Sequence, residues 1–134
     1  MPRKTLPSRR NHITQRVKIG GKRTLYLSVD NDTAPSEIFI RIRGETGVEK
    51  VTCYDVIARL VSLALQEGIA LEAIAERLHG TRMEPYGAVE GDVHIKFASG
   101  SLDYIGKHLL IRYCGRDDLS HAKNATDNQV SEKE

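Results

Sequence analysis

The stretch from Val51 to Gly68, VTCYDVIARLVSLALQEG, constrains the fold of this chain most strongly. Apolar residues recur there at the i, i+3, i+4, i+7 spacing of one helical face, and further apolar residues widen the stripe. The apolar set is Ile57, Leu60, Val61, Ala64, Cys53, Val56, Leu63 and Leu65. Only a narrow polar line remains, through Thr52, Asp55, Arg59, Ser62 and Gln66. The pattern predicts a central helix packed on most sides, with Leu60 and Cys53 buried.

The ends of this helix carry their own signals. Thr52 with Asp55 three residues later is an acidic variant of a capping box, and Gly68 stands where a C′ glycine is expected. After Gly68, the spacing of Leu71, Ile74, Ala75 and Leu78 predicts a second helix ending at Gly80, joined to the first as an antiparallel αα-hairpin. A third helix is expected to begin with Ser101 as its cap and to end near Cys114-Gly115.

Period-two alternation predicts the strands. Val17 and Ile19 alternate with polar residues before Gly20-Gly21, and Leu25, Leu27 and Val29 alternate after it, which indicates a β-hairpin. Ile38, Ile40 and Ile42 predict a third strand, and Val93, Ile95 and Phe97 a fourth, after a loop over residues 81–92. The order β-β-β-α-α-β-α predicts an α+β fold, in which an antiparallel sheet of about four strands carries three helices on one face.

Length and charge bound the organisation of the chain. Its 134 residues suit a single domain, and no apolar run reaches the roughly 18 residues of a membrane span. We expect a cytoplasmic protein, of the producing or the host cell. Residues 1–23 carry basic side chains and no acid, whereas acids outnumber lysines in residues 117–134. The predicted division is a flexible basic arm (1–14), a folded domain (15–116) and a disordered polar tail (117–134).

Catalytic signatures are weak. Gly-Gly-Lys lacks the spacing of a phosphate-binding loop, and the five histidines are scattered, with no pair at i, i+4. The two cysteines form no metal-binding pair, and only Arg112 and Arg116 flank Cys114 as potential activators. We therefore expect no catalytic residues, no metal, no cofactor and no enzymatic activity of the chain alone.

The polar face of the predicted sheet is the candidate site. If the alternating apolar residues face the helices, the other face displays cations interleaved with aromatic rings: Arg16, Lys18, Tyr26, Ser28, Phe39, Arg41 and Arg43. Guanidinium groups and rings suit a ligand with phosphates and a flat base. We expect Lys22 and Arg23 to add charge from the hairpin, and the loop around Met83 and Tyr86 to border the site. The alternatives are a solvated face or one covered by a second subunit.

The order of segments resembles the TSCPD domain near the C-terminus of many cobalamin-dependent ribonucleotide reductases. The similar stretches are LYLSVDNDTAPSEIFIRIRG, YDVIARLVSLALQEGIALEAIAERLHG and SLDYIGKHLL, within about residues 15–115. The family's motif falls on Ser99, Gly100, Ser101, Leu102 and Asp103, of which only Asp103 matches, so the motif cysteine is replaced by Ser101. The resemblance implies an accessory module without the radical-generating barrel of a reductase.

Two functions remain open at this point. One is a non-catalytic, nucleotide-binding module associated with a reductase; the other is a phage-type sponge that sequesters nucleotide signals, like the anti-Thoeris and anti-CBASS proteins. In both cases the expected partners are an anionic, nucleotide-derived small molecule and a second copy of the chain. Nucleic-acid binding through the basic arm is a third class, but no recognised motif favours it.

Overall fold

The computed structural model describes residue 6 and residues 11–30, 34–44 and 47–120. Five strands, β1 (His12–Ile19), β2 (Arg23–Asp30), β3 (Ile38–Gly44), β4 (Gly87–Glu90) and β5 (Phe97–Ala98), form an antiparallel sheet in the order β3-β2-β1-β4-β5. The helices are α1 (Val48–Gln66), α2 (Leu71–Leu78) and α3 (Ser101–Tyr113), followed by a short 3-10 turn (Asp117–Leu119). The α+β class predicted from the sequence is confirmed.

The core lies between one face of the sheet and the helices. Alternate residues of β1, β2 and β3 point into it and are at most 7% exposed: Val17, Ile19, Leu25, Leu27, Val29, Ile38, Ile40 and Ile42. They pack in one cluster with helix residues that include Tyr54 and Ala58 of α1 and Leu109 of α3. The period-two pattern therefore predicted the inward face of these three strands correctly.

The β1–β2 hairpin has the predicted glycine turn. Gly20 and Gly21 have φ angles of 62° and 69°, a left-handed region that glycine enters without steric cost, and the amide of Lys22 donates to the carbonyl of Ile19 at 3.1 Å. Val17 stands opposite Leu25 in the resulting register. The first strand begins at His12, so residues 12–14 belong to the sheet rather than to the predicted arm.

The predicted fourth strand is misplaced. Residues 81–92, expected to be loop, contain β4, and only Phe97 of the expected strand lies in β5. Asp92 is the reason, because its Oδ1 atom accepts the amides of His94 at 2.8 Å and Ile95 at 3.2 Å and so builds a turn. Val93 consequently points outward and is 69% exposed.

Helix α1 was predicted to be packed on most sides. Instead, one face of it lies against the edge strand β3. Ser62 was expected in the narrow polar line of the helix. Its hydroxyl accepts a hydrogen bond from the amide of Ile38 at 2.8 Å and donates one to the carbonyl of Ile38 at 3.1 Å. Gln66, also buried, donates to the carbonyl of Ser36 at 3.1 Å. These bonds turn the opposite face to solvent, so Leu60 is 60% exposed and Cys53 is exposed. The burial predicted for Leu60 and Cys53 is wrong.

The ends of α1 divide the capping predictions. At the C-terminus, Gly68 has a φ of 95°, its amide donates to Leu65 at 3.1 Å, and the amide of Ile69 donates to Ala64 at 3.0 Å. This is a Schellman motif, as the glycine predicted. At the other end the helix begins at Val48, with Gly47 as N-cap and no side-chain cap bond, so the capping box at Thr52 is wrong.

Helices α1 and α2 do not form the packed hairpin that was expected. Helix α1 packs against β3, whereas α2 packs against α3. The contact between α2 and α3 is close at Gly106, where an added Cβ would lie 2.5 Å from the amide nitrogen of His79 and 2.8 Å from the carbonyl oxygen of Ala75. Glycine at this position lets the two backbones touch.

The predicted boundaries of the folded domain are only partly within view. Residues 117–120 of the expected tail are described: Asp118 pairs with Arg116 at 3.0 Å, and Ser120 is buried. Residues 121–134, most of the predicted arm, and residues 31–33 and 45–46 lie outside the described residues. No helix in the described ranges is long and apolar enough to cross a membrane.

Candidate functional site

The outer face of β1, β2 and β3, which we call the open face, brings together most of the site residues predicted from the sequence. Antiparallel register aligns Arg16, Tyr26 and Arg41 in one row across the three strands. A second row consists of Lys18, Thr24 and Arg43. The cations of both rows are exposed, because the helices cover the other face of the sheet.

Tyr26 is the polar centre of the open face. A hydrogen bond with Arg16 is the largest influence on its hydroxyl and, together with the charge of Arg43, lowers the pKa of Tyr26 below its usual value despite the opposing effect of desolvation. The tyrosine therefore stands among guanidinium groups that favour negative charge at this place. An anion on the open face would meet the same field.

An open cavity of about 330 Å³ lies at one end of this face, lined by His12, Thr14, Tyr26, Ser28, Phe39 and Arg41. Phe39 is 47% exposed, and its ring meets that of His12 edge-on with centroids 5.2 Å apart. His12 is held by Glu37, with Nε2 to Oε2 at 2.7 Å, and Thr14 bonds Ser28 at 2.7 Å. The cavity offers an aromatic wall and hydroxyls beside a guanidinium group.

Sequence reasoning missed His12 and Thr14 because the strand was started at Gln15. The signal that could have found them is the same period-two alternation, since Ile13 and Gln15 continue the inward parity of Val17. His12 and Thr14 then share the outward parity of Arg16.

Met83 and Tyr86 line other cavities than the one that Tyr26 and Phe39 line. Tyr86 lines a cleft of about 380 Å³ with Gly20, Lys22, Lys50, Glu84 and Pro85. It also lines a second groove, of about 310 Å³, with Arg82, Met83, Glu84, Phe97 and Ser99. The predicted border of one site thus forms two separate depressions around the loop that precedes β4.

Arg23 was predicted to add charge to the site on the open face. It lies instead on the helix side of the sheet. It is 1% exposed, and its Nη1 atom donates to the hydroxyl of Tyr54 at 3.4 Å and to that of Ser101 at 3.2 Å. The reason is strand parity, because Arg23 shares the inward phase of Leu25 and Leu27. It cannot supply charge to a ligand on the opposite face.

A buried polar cluster that the sequence did not indicate joins Asp92, Tyr104 and His108. The Tyr104 hydroxyl donates to Asp92 Oδ2 at 2.7 Å, and His108 Nδ1 lies 3.7 Å from the same oxygen. Burial opposes ionisation of Asp92, but hydrogen bonds with His108, Tyr104 and the His94 amide outweigh it and hold its pKa far below the usual value. Burial and the Asp92 charge raise the pKa of Tyr104. The cluster ties the loop after β4 to α3.

The motif positions at residues 99–103 form the start of α3. Asp103 accepts the amide of Gly80 at 2.6 Å and that of Ser99 at 2.8 Å, and Lys107 Nζ lies 3.1 Å from it. The carboxylate therefore closes the first turn and ties it to the end of α2. Ser101, at the position of the motif cysteine, is fully buried, and the cap is Gly100 rather than Ser101 as predicted.

The surroundings of Cys114 do not activate its thiol. Burial and the charge of Glu72 raise the pKa of Cys114, and these effects exceed the lowering influence of Arg116. In the ranges that the structure describes, no group of three or more His, Cys, Asp or Glu residues is placed to hold a metal ion. The described residues define a small α+β domain whose sheet has one exposed, cationic face.

Comparison with known proteins agrees with this class of small α+β domain. The sequence matches the TSCPD domain over residues 2–113, so the chain belongs to the TSCPD domain family. It is 38% identical over 121 residues to a vitamin B12-dependent ribonucleotide reductase of Agrobacterium fabrum, covering 89% of this chain and 9% of the reductase. The reductase of Bradyrhizobium diazoefficiens is 35% identical over 128 residues, covering 94% of this chain and 10% of that protein.

A third vitamin B12-dependent ribonucleotide reductase, from Rhodopirellula baltica, is 31% identical over 119 residues, covering 88% of this chain and 11% of the reductase. The chain thus spans about a tenth of the length of the curated relatives it matches. No solved structure gives a significant match. The family resemblance derived from the ordered segments of the sequence is confirmed.

Proposed function

We propose that this TSCPD domain is a non-catalytic module that binds an anionic, nucleotide-derived molecule on its open face, in the setting of ribonucleotide reduction. One observation carries the proposal: the register of three strands aligns exposed Arg16 and Arg41 on either side of Tyr26, with Phe39 in the adjoining cavity. Guanidinium groups suit phosphates by charge and fork geometry, and an exposed ring suits a base.

The similarity to ribonucleotide reductases supports the nucleotide class of ligand, since their substrates and products are nucleotides. The open face supports binding rather than turnover. Its described residues include no nucleophile beside a base and no paired carboxylates, and the ring and hydroxyl groups there are suited to recognition.

Calorimetric titration of the purified chain against mononucleotides, dinucleotides and cyclic dinucleotides tests the proposal. We expect one class of nucleotide to bind with a dissociation constant below about a millimolar. A solvated basic face predicts feeble binding to every polyanion with no preference. Tight preference for a cyclic dinucleotide would favour the second candidate, a phage-type protein that sequesters nucleotide signals, and absence of binding across the panel would overturn both.

A further inference from the structure

The guanidinium group of Arg23 is buried without enough partners. Only Nη1 is bonded, to the Tyr54 hydroxyl at 3.4 Å and the Ser101 hydroxyl at 3.2 Å, whereas Nε and Nη2 are buried with no hydrogen-bond partner. No ion pair joins Arg23 to a carboxylate within the described ranges 11–30, 34–44 and 47–120. An enclosed positive charge is therefore left with two neutral acceptors.

Such an arrangement is costly unless an anion completes it. Arginine stays protonated in proteins, so it cannot lose its charge on burial. The Tyr54 ring lies 5.7 Å from the guanidinium carbon, and a cation–π contact of this kind offsets only part of the cost. Burying an ion costs several kcal/mol, which is recovered only when its hydrogen bonds are satisfied by an opposite charge.

The two unpartnered atoms form the edge that recognises oxyanions. The N–H bonds of Nε and Nη2 lie side by side and can bind two oxygens of one group. Arg116 of the same chain shows this geometry, because its Nε and Nη2 atoms bind the two oxygens of Asp118 at 3.0 and 3.2 Å. The corresponding edge of Arg23 is unused.

The position of Arg23 adds a second source of positive potential. Ser101 is the first residue of α3, a 13-residue helix, and the N–H groups of a first helical turn have no intrahelical acceptors. The carboxylate in this turn, Asp103, is engaged by Gly80, Ser99 and Lys107. The N-terminus of α3 and Arg23 therefore meet at Ser101, where the described residues pair no carboxylate with Arg23, and phosphate groups bind at such helix ends.

Met83 contacts both the buried Tyr54 hydroxyl and a groove at the surface. Its sulfur lies 4.0 Å from the Tyr54 hydroxyl, and it also lines the groove of about 310 Å³ together with Phe97 and Ser99. Methionine is unbranched and adapts its rotamer easily, so it can yield to a small ligand. Lys22 and Lys50 add cationic charge to the neighbouring cleft, which shares Glu84 and Tyr86 with this groove.

We infer that Arg23, with the Ser101 hydroxyl and the first turn of α3, forms a binding site for a phosphate group on the helix side of the sheet. A tetrahedral phosphate has enough oxygens for the arginine edge, the hydroxyl and a helix amide at once, whereas a carboxylate has two. This site is separate from the open face and does not depend on the function proposed for that face.

A titration of the full chain with inorganic phosphate, followed by amide NMR at constant ionic strength, tests the site. We expect saturable shifts of the Ser101 and Leu102 amide signals with a dissociation constant of about a millimolar or tighter. Two charge-assisted hydrogen bonds supply a binding free energy of that order. Arg23→Met, which keeps the length and removes the charge, should weaken binding about tenfold or more. Arg77→Ala, on the exposed side of α2, should leave the phosphate affinity unchanged.

A second variant of Arg23 and a second anion complete the test. Arg23→Lys keeps the charge but loses the fork, so it should also bind phosphate more weakly, and it serves if Arg23→Met does not fold. Sodium acetate should shift these amides less than phosphate, and a stronger response to acetate would contradict the phosphate assignment. Absence of saturable shifts in the wild type, shifts confined to the Tyr26 and Arg41 amides, or unaltered binding by both Arg23 variants would overturn the inference.

Discussion

Arg41 lies on the edge strand β3 of the open face, opposite Tyr26, and lines the cavity that contains Phe39. Its side chain is exposed, so its removal leaves no buried group unpaired. Hydrogen bonds to charged groups are worth about 1.5–3 kcal/mol each. We therefore expect Arg41→Ala to weaken nucleotide binding about tenfold to a hundredfold in calorimetry, with an almost unchanged melting temperature.

The control for this variant is Arg77→Ala. Arg77 is exposed on α2, and its guanidinium donates to the carbonyl of Ala73 at 2.8 Å, away from the open face. The Arg77→Ala protein should bind nucleotide as tightly as the wild type does. The nucleotide affinity of both Arg77→Ala and the wild type should fall with added salt. Equal affinities of Arg41→Ala and the wild type would exclude the open-face site.

Asp92 makes stability depend on acid pH. Its pKa is depressed in the folded state, so its contribution is present above the unfolded value of about 3.9 and is lost as pH falls through that region toward the folded pKa. At pH 7, Asp92→Asn should lower the free energy of unfolding by about 1.5–3 kcal/mol, because Tyr104 and His108 lose a charged partner.

Urea denaturation at pH 7 and near pH 3 measures this difference. The gap between Asp92→Asn and the wild type should narrow at the lower pH, since Asp92 of the unfolded wild type then binds a proton that the folded protein does not. Asp55→Asn is the control, because Asp55 pairs with Arg59 at 3.3 Å on an exposed helix face and such pairs contribute little. A gap that stays constant with pH would show that the Asp92 charge has no role.

At the scale of elements, α1 and α3 differ in how much of their surface is buried. Leu109 of α3 is fully buried, so Leu109→Ala should lower the free energy of unfolding by about 2–5 kcal/mol. Leu60 of α1 is 60% exposed, and Leu60→Ala should cost about 0.5 kcal/mol or less, the range of surface substitutions. Chemical denaturation of the two variants side by side measures both changes in the free energy of unfolding. A larger decrease for Leu60→Ala than for Leu109→Ala would show that Leu60 is buried.

The sequence also predicted that the second apolar face of α1 would be buried, which the structure contradicts. Val56, Leu60 and Leu63 recur at helical spacing as regularly as the residues that are buried. The side that packs was decided by Ser62 and Gln66, which bond the backbone of residues 36–38 at the edge of the sheet. Unpaired backbone groups at a sheet edge need polar partners, so the polar line of the helix faces inward there.

For the whole molecule, we expect self-association, most simply as a dimer. The open face leaves Phe39 47% exposed and Tyr26 partly exposed, and exposed aromatic rings on one surface favour pairing of two copies. Light scattering on a size-exclusion column at tens of micromolar should give about twice the 15.0 kDa of the chain. A mass of one chain under these conditions would rule the dimer out.

Local patterns in the sequence determined the parts of this protein that depend on neighbouring residues. Alternation predicted the inward faces of β1, β2 and β3, the paired glycines predicted the hairpin, and Gly68 and Gly80 predicted where two helices end. Because register follows from the hairpin and parity from the pleat, most of the open face could also be derived. The same parity rule, applied to Arg23, would have placed it on the helix side.

Only the tertiary structure decided which partner each element meets. Nothing local distinguishes the two apolar faces of α1, since burial depends on the strand it lies against. The packing of α2 on α3 depends on a backbone approach at Gly106, and the Asp92, Tyr104 and His108 cluster joins residues up to 16 positions apart. Contacts between distant segments depend on how the elements are arranged in space, and periodicity, which reports the faces of single elements, carries no information about that arrangement.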